Sequence, residues 1–483
     1  MKKIKKLLIA NRGEIALRII RACKELDITA VAVYSEADKE GVWVKKADVA
    51  VELQGHPVQV YLDIDGLIAV AKAQRCDAIH PGYGFLSESA EFARACTKAG
   101  LIFVGPKPEH IELFGDKIAS KNAMRDIGVP VIEGTQEPIF DAKEAKRIAD
   151  EIGYPVIIKA AYGGGGRGMR IVEKASDFAK AFEAATAEAT KFFGKGDVFI
   201  EKYVKNPRHI EVQIIADKYG NVVHLAERDC SIQRRHQKVI EISPSPLLSP
   251  EVRKELFRIA QKAIYRLGYE SVGTIEFLVD EKDNIYFIEM NTRIQVEHPV
   301  TEIISGVDLI QRMIQIAEGD KLHFLQEEIA FRGYAIEFRI NAEDVKNDFM
   351  PSFGTITQYL TPGGPGVRLD SGIYAGYTIV PHYDSMVAKL IVWALDWEGV
   401  VRKARRALDE FIIEGVETNI ALHKEIVYDD DFIKGKFTTS FLDERMENFA
   451  LLKSLNPDKT ERTGSFMSRL IQKGLVTLKG DFV

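Results

Sequence analysis

Glu289-Met-Asn-Thr-Arg-Ile-Gln-Val-Glu297 puts a polar side chain on every second residue, directly after an apolar run that reads as a strand. Continued as a strand, it would turn Glu289, Asn291, Arg293, Gln295 and Glu297 to one face. Upstream, Gly273-Thr-Ile-Glu276-Phe-Leu-Val and Ile285-Tyr-Phe-Ile-Glu289 flank the polar turn Glu281-Lys-Asp-Asn284, which is a hairpin pattern. Centring the hairpin on Lys282 and Asp283 sets Glu276 opposite Glu289. Opposed Cβ atoms lie roughly 5 Å apart, where two carboxylates repel unless something positive sits between them. A divalent cation would answer that need. Mg²⁺, or Mn²⁺ in its place, is held by one or two carboxylates plus substrate phosphates, and Asn291 could add an oxygen. The same alternation also describes a strand with one solvated face.

Other segments offer cations and backbone donors. Lys159 ends the run Tyr154-Pro-Val-Ile-Ile-Lys159 just before Gly163-Gly-Gly-Gly166-Arg-Gly168. There an ammonium could reach phosphate oxygens while the N–H groups of a glycine flap close over them. This is not a P-loop, because no Gly-Lys-Ser/Thr opens a helix. Lys117, in Gly115-Asp-Lys117, is a second cation, although the same letters also start a helix. Val198-Phe-Ile-Glu201-Lys202-Tyr203-Val204 runs from an apolar strand into a polar linker, suited either to an adenine or to a domain hinge. Arg234, Arg235, His236 and Lys238 put four actual or potential cations into five positions. In a protein of net charge −6 that density argues for an anionic ligand, with a solvated basic loop as the alternative. His209 and Gln233 lie in the flanking segments. Arg339 alternates with apolar neighbours in Ile336-Glu-Phe-Arg-Ile, and spacing alone does not say which way it faces. No G-x-S-x-G elbow is present, and Cys230 with His236 lacks a second pair at zinc-ligand spacing.

These groups need elements to hold them. Lys6 to Ala10, a helical pattern through Leu26, and Thr29 to Tyr34 form a βαβ opening. Cys76 to His80 then feeds the loop Pro81-Gly-Tyr-Gly-Phe-Leu-Ser-Glu88, and Ile102 to Gly105 is a further strand. An open parallel sheet ending near residue 114 follows, with ligands expected at its carboxyl ends. A dinucleotide site is disfavoured, since the first turn holds one glycine, Gly13, and no G-x-G-x-x-G. Helices are expected over 119–127, 142–152, 250–267 and 397–411. A chain of 483 residues exceeds a single core and predicts several domains. The four scattered cysteines fit a reducing cytosol, no basic footprint suggests nucleic acid, and no apolar run is long enough for a membrane span. Met1 to Lys6 opens a first strand and is not read as an export signal.

Taken together, Asn11-Arg-Gly-Glu-Ile-Ala, His80-Pro-Gly-Tyr-Gly-Phe-Leu-Ser-Glu88, Gly115-Asp-Lys117, Lys159 with its flap, Arg228-Asp-Cys-Ser-Ile-Gln-Arg-Arg-His-Gln-Lys238 and Glu289 to Pro299 resemble biotin carboxylase, in the family's order across about residues 1–447. The resemblance implies an α/β multidomain chain. It would comprise a Rossmann-like N-terminal domain (1–114), an ATP-grasp domain (115–330, with a mobile lid at about 130–204), a mixed α/β C-terminal domain (331–447) and a tail of unknown role (448–483). Lys117, Lys159, Gly165, Gly166, Glu201, Lys202, Tyr203, Val204, His209, Gln233 and His236 would hold ATP. Glu276, Glu289 and Asn291 would hold Mg²⁺. Lys238, Arg293 and Val296 would hold bicarbonate, Glu297 would be its base, Arg339 would stabilise the biotin enolate, and the Tyr83-Gly84 loop would meet biotin. A homodimer and cytoplasmic location are the family's habit. Lys159-Ala-Ala-Tyr162 before the glycines, and His236, are more like pyruvate carboxylase than acetyl-CoA carboxylase. A subunit of a pyruvate or other 2-oxoacid carboxylase is therefore favoured over an acyl-CoA carboxylase or another ATP-grasp ligase. Met-Lys occurs only at Met1-Lys2, so the Met-Lys-Met biotin acceptor motif is absent, and biotin is expected on a separate carrier together with a carboxyltransferase subunit.

Overall fold

The computed structural model describes residues 3–160, 169–193 and 196–449. Gly165 and Gly166 of the flap, and the tail from residue 450, lie outside the described residues. The chain opens with a five-stranded parallel sheet made of β1 (Lys6–Ile9), β2 (Thr29–Ser35), β3 (Val49–Leu53), β4 (Ala78–His80) and β5 (Ile102–Phe103), in the order β3-β2-β1-β4-β5. Helix α1 (Gly13–Glu25) follows β1 and buries Ile15, Leu17, Ile19 and Ile20 against the sheet and its neighbours. As expected of such a sheet, the loops at the carboxyl ends of β1 and β4 meet: Asn11 Nδ2 donates to the carbonyls of Pro81 (2.7 Å) and Tyr83 (2.8 Å).

A small three-stranded sheet comes next: β6 (Val156–Ala160), β7 (Arg170–Val172) and β8 (Val198–Lys202), in the order β7-β6-β8. Helices Ala142–Ile152 and Phe178–Phe193 pack on it around Val156, Ile158, Phe182 and Ile200. Lys159 and Glu201 therefore sit on neighbouring strands of one small unit.

The main frame is an eight-stranded sheet. It contains β9 (Arg208–Ala216), β10 (Val222–Arg234), β11 (Gln237–Ser243), β12 (Ser271–Val279), β13 (Ile285–Asn291), β14 (Tyr334–Asn341) and the strands Val367–Ser371 and Met386–Ala394. Because β11 pairs with β14, the sheet runs unbroken across the boundary expected near residue 330. The helix Pro250–Leu267, capped by Ser249 and ended by Gly268 at φ 59°, lies against the apolar face of β9 and β12. Helix Trp397–Glu410 does the same for β14 and Met386–Ala394. On the opposite face His209, Glu211 and Gln213 of β9 and Thr274 and Glu276 of β12 form a polar stretch.

Two strand expectations are refined. Near its turn the hairpin pairs Val279 with Ile285, one residue off the expected register, and an irregularity at Ile288 then brings Glu276 opposite Glu289. The bulge, not the turn, sets the two carboxylates face to face. The strand also stops at Asn291, so Arg293, Gln295 and Glu297 lie in an irregular loop before the helix His298–Ser305, and their approach to the site is not strand alternation. Among the described residues no helix is long and apolar enough to cross a membrane.

Candidate active site

Four charged residues stand in register across four strands: Arg228 on β10 pairs with Glu211 on β9, Glu211 with Glu276 on β12, and Glu276 with Glu289 on β13. Three carboxylates in a row demand cations. Lys238 supplies one, donating to Glu211, to Glu276 Oε1 (3.2 Å) and to Glu297 Oε1 (2.8 Å). Burial disfavours its charge, but these carboxylates outweigh burial and raise its pKa well above the usual lysine value. Arg228, fully buried, donates to Glu211 Oε2, Gln213, Thr274, Thr301 and Gln295. Burial pushes Glu211 up to about 7 in spite of Lys238.

Glu276 is the crossroads. Its Oε1 accepts from Asn291 Nδ2 (2.6 Å) and Gln295 Nε2 (2.9 Å), and its Oε2 lies 2.7 Å from His209 Nε2. Gln233 Nε2 reaches His209 Nδ1 at 2.6 Å, which fixes the ring. Asn291 Oδ1 in turn accepts from Arg293 Nη2 (2.9 Å), so the amide would have to turn to offer its oxygen to a cation. Glu276, Glu289 and that amide oxygen are hard donors on one face, the set that suits Mg²⁺ or Mn²⁺.

Glu297 is gripped at both oxygens, by Lys238 and by Arg339 Nη2 (3.0 Å), and Arg339 also bonds Glu241. Burial alone would raise the Glu297 carboxyl, yet Lys238, Arg339 and Arg228 hold it far below the usual range. The orientation left open for Arg339 is thus settled: it points from β14 into the site. Val296 presents its carbonyl to Lys389 Nζ (2.8 Å), and Arg293 Nε meets Glu88 (3.0 Å).

On the lid side, Lys159 Nζ donates to Glu201 Oε2 (2.8 Å), and the buried Lys121 bonds the other oxygen of the same carboxylate. Burial, reinforced by Lys117, lowers Lys159 to about 8, with Glu289 pulling the other way. Lys117 begins the helix Lys117–Asp126, whose cap is Asp116. The Lys202 ammonium goes to the carbonyls of Gly153 and Tyr154, and the Tyr203 N–H to Pro155, so both fasten the hinge, with Val204 following half-buried. The basic cluster splits. Arg234 and Arg235 turn away to Asp348, and Arg234 also stacks on Phe349. His236, in the β10–β11 turn, has its pKa lowered by burial and by Lys159, which places it toward the lid.

Spacing had not singled out Glu211, Arg228, Lys121, Glu88, Glu14 or Lys389 as site groups. For Glu211 a signal exists: His209-x-Glu211-x-Gln213 is itself a polar alternation on an apolar strand. Lys121 and Lys389 carry no such pattern.

A small lysine-bearing three-stranded unit beside a charged antiparallel sheet with a carboxylate hairpin is the ATP-grasp arrangement. Residues 3–111 match the family described as "Biotin carboxylase, N-terminal domain", 116–325 "Carbamoyl-phosphate synthase L chain, ATP binding domain" and 337–444 "Biotin carboxylase C-terminal domain". The chain is 53% identical, over 92% of its length and 94% of the relative's, to the 2-oxoglutarate carboxylase small subunit of Hydrogenobacter thermophilus. It is also 53% identical, over 91% of its length and 89% of the relative's, to a pyruvate carboxylase subunit of Methanothermobacter thermautotrophicus. The biotin carboxylase domain dimer of the Hydrogenobacter enzyme, solved with MgADP, ADP and bicarbonate, superposes with a TM-score of 0.90 at 52% identity, covering 92% of this chain and 99% of that one. The chain belongs to the biotin carboxylase family.

Proposed function

We propose that this protein carboxylates biotin carried on a separate polypeptide, using ATP and bicarbonate, as the biotin carboxylase subunit of a pyruvate or other 2-oxoacid carboxylase. The observation that carries the reading is the double grip of Lys238 and Arg339 on Glu297, next to the Glu276–Glu289 pair. A small anion entering there would share the cations of a buried base while standing beside a hard-metal site that takes phosphates. The two relatives at 53% identity, subunits of 2-oxoglutarate and pyruvate carboxylases, support a 2-oxoacid as the final acceptor.

In this assignment Lys117, Lys159 and His236 face the nucleotide phosphates, and the hinge Glu201–Val204, with His209 and Gln233 opposite, receives the rest of the nucleotide. Gly165 and Gly166 would close over it. Glu276, Glu289 and Asn291 hold Mg²⁺, which when bound neutralises charge on the phosphates. Bicarbonate sits against Lys238, Arg293 and the Val296 backbone. Its oxygen attacks the γ-phosphorus as the bond to the ADP oxygen breaks, and Glu297 takes its proton. Glu297 is ionised but a weak base while Lys238 and Arg339 hold it. When bicarbonate draws on Lys238 the carboxylate regains basicity, so substrate binding switches the base on. Carboxyphosphate then yields CO₂ and phosphate, the released phosphate takes the N–H proton of the biotin ureido group, and Arg339 stabilises the resulting enolate, whose nitrogen takes the CO₂. Closure of the lid (about 130–204) keeps water from the labile intermediate. Domains at 1–114, 115–330 and 331–447 and a homodimer complete the assignment. The four buried thiols, Cys23, Cys76, Cys96 and Cys230, fit a cytosolic setting.

The deciding experiment is ADP release by the purified protein with Mg-ATP, with and without bicarbonate and free biotin. Turnover that needs both is expected. Turnover indifferent to biotin would move the assignment to another ATP-grasp ligase.

A further inference from the structure

The first turn of the chain, Asn11-Arg-Gly-Glu14, binds no substrate in this assignment, yet it holds two buried polar side chains. Glu14 Oε1 accepts from the Tyr83 hydroxyl and lies 3.1 Å from Lys389 Nζ. Asn11 fastens the backbone of the same loop at Pro81 and Tyr83. Lys389, fully buried on the strand Met386–Ala394, gives a second hydrogen bond to the Val296 carbonyl at 2.8 Å. Its register partner on β14 is Arg339, which holds the Glu297 carboxylate. Two adjacent cations thus pin adjacent residues, one by backbone and one by side chain. Burying Glu14 and Lys389 is costly, and a buried ion pair is weak evidence of a gain in stability, so stability alone does not account for them.

We propose that Glu14 and Lys389 are positioning residues that set the Tyr83 loop and the Val296–Glu297 peptide in one fixed relation, so that biotin and the bicarbonate base are aligned by a single buried ion pair. The proposal rests on the assignment of Glu297 and the Tyr83 loop given above. It also gives the N-terminal sheet a role in this reaction: its carboxyl-end loops carry the alignment instead of a nucleotide.

The test uses the full chain and measures ADP release with bicarbonate, with and without free biotin, for Glu14→Gln, Lys389→Met and the double variant. Each single change is expected to cut the stimulation by biotin about 10- to 100-fold, the size of effect a displacement near 1 Å produces. The biotin KM rises, and the ATP KM stays within about twofold because the lid lysines are untouched. The double variant should recover part of the thermal midpoint lost in Lys389→Met, since Glu14 is no longer a buried unpaired charge, but not the stimulation. If Lys389→Met does not fold, Glu14→Gln and Tyr83→Phe, which keep side-chain volume, carry the test. Stimulation unchanged in the single variants, or regained together with the midpoint in the double, would overturn the proposal. A wild-type protein that biotin fails to stimulate would instead overturn the assignment beneath it.

Discussion

The lid side and the sheet side of the site balance their charges differently. On the lid side Lys121 and Lys159 share Glu201, with Lys117 near both, and burial with mutual repulsion lowers Lys121 and brings Lys159 to about 8. On the sheet side Glu211, Glu276 and Glu297 crowd round Lys238, and their charges outweigh burial to raise it. The first half is short of negative charge, as the nucleotide site proposed above requires. The second is already neutralised internally, so a small anion enters only by sharing hydrogen bonds that exist. In the proposed assignment the lid side thus takes the highly charged ligand and the sheet side the singly charged one.

Lys238→Gln should break this contrast most severely. It leaves Glu211, Glu276 and Glu297 facing one another without their common cation, so their repulsion raises their pKa values and the bicarbonate site loses its ammonium. Bicarbonate-dependent ADP release is expected to fall about 10³-fold, the upper cost of losing one preorganised donor. A loss under tenfold would mean the row is neutralised by something other than Lys238. Lys159→Gln comes next and should act on the other half alone, raising the ATP KM about 100-fold with the bicarbonate KM little moved. Equal changes in both constants would show that the two halves are not separate.

The lid imbalance also predicts a pH dependence of definite sign. A lowered Lys159 pKa means the free protein loses that charge as pH rises through about 8. Bound phosphate favours the ammonium and so raises the pKa in the complex. Below pH 8 both states are protonated and the ATP KM is flat. Above it, binding must take up a proton, and the KM should climb about tenfold per pH unit. Lys159→Arg, always charged, should flatten the rise. A wild-type KM constant from pH 7 to 9.5 would contradict the lowered value.

The sheet half was the more legible in the sequence, and the reason is physical. Strand alternation and a short turn are local signals, so Glu276 and Glu289 could be set opposite each other from letters alone. Even there the turn register was one residue off and the bulge at Ile288 made good the difference, which no propensity announces. Beyond Asn291 the alternation was right about which residues converge and wrong about why. Arg293, Gln295 and Glu297 reach the site because Asn291, Glu276, Lys238 and Arg339 draw them in from an irregular loop. Lys121 and Lys389 were not legible, because a cation buried by tertiary packing looks in sequence like any surface lysine. Glu211 was missed because its meaning depends on the pairing of β9 with β12, strands separated by some sixty residues.

Arg234, Arg235, His236 and Lys238 looked in sequence like one anion-binding cluster, but a tight turn splits them. Arg235 and His236 both adopt positive φ there, 49° and 65°, and the reversal aims Lys238 into the carboxylate row while Arg235 points to solvent. The Arg235 side chain is 68% exposed and meets Asp348 at 3.2 Å, itself 69% exposed. Exposed pairs of this type contribute about 0–1 kcal/mol and are screened by salt. Arg235→Ala should therefore change the ATP and bicarbonate KM values less than about twofold, against about 10³ in turnover for a lysine three positions on. A tenfold rise in either KM would mean that Arg235 swings inward when the nucleotide binds and that the positive half of the site extends round the turn. A null result would confine that half to the lid, the helix Lys117–Asp126 and the turn's inner side chain, His236.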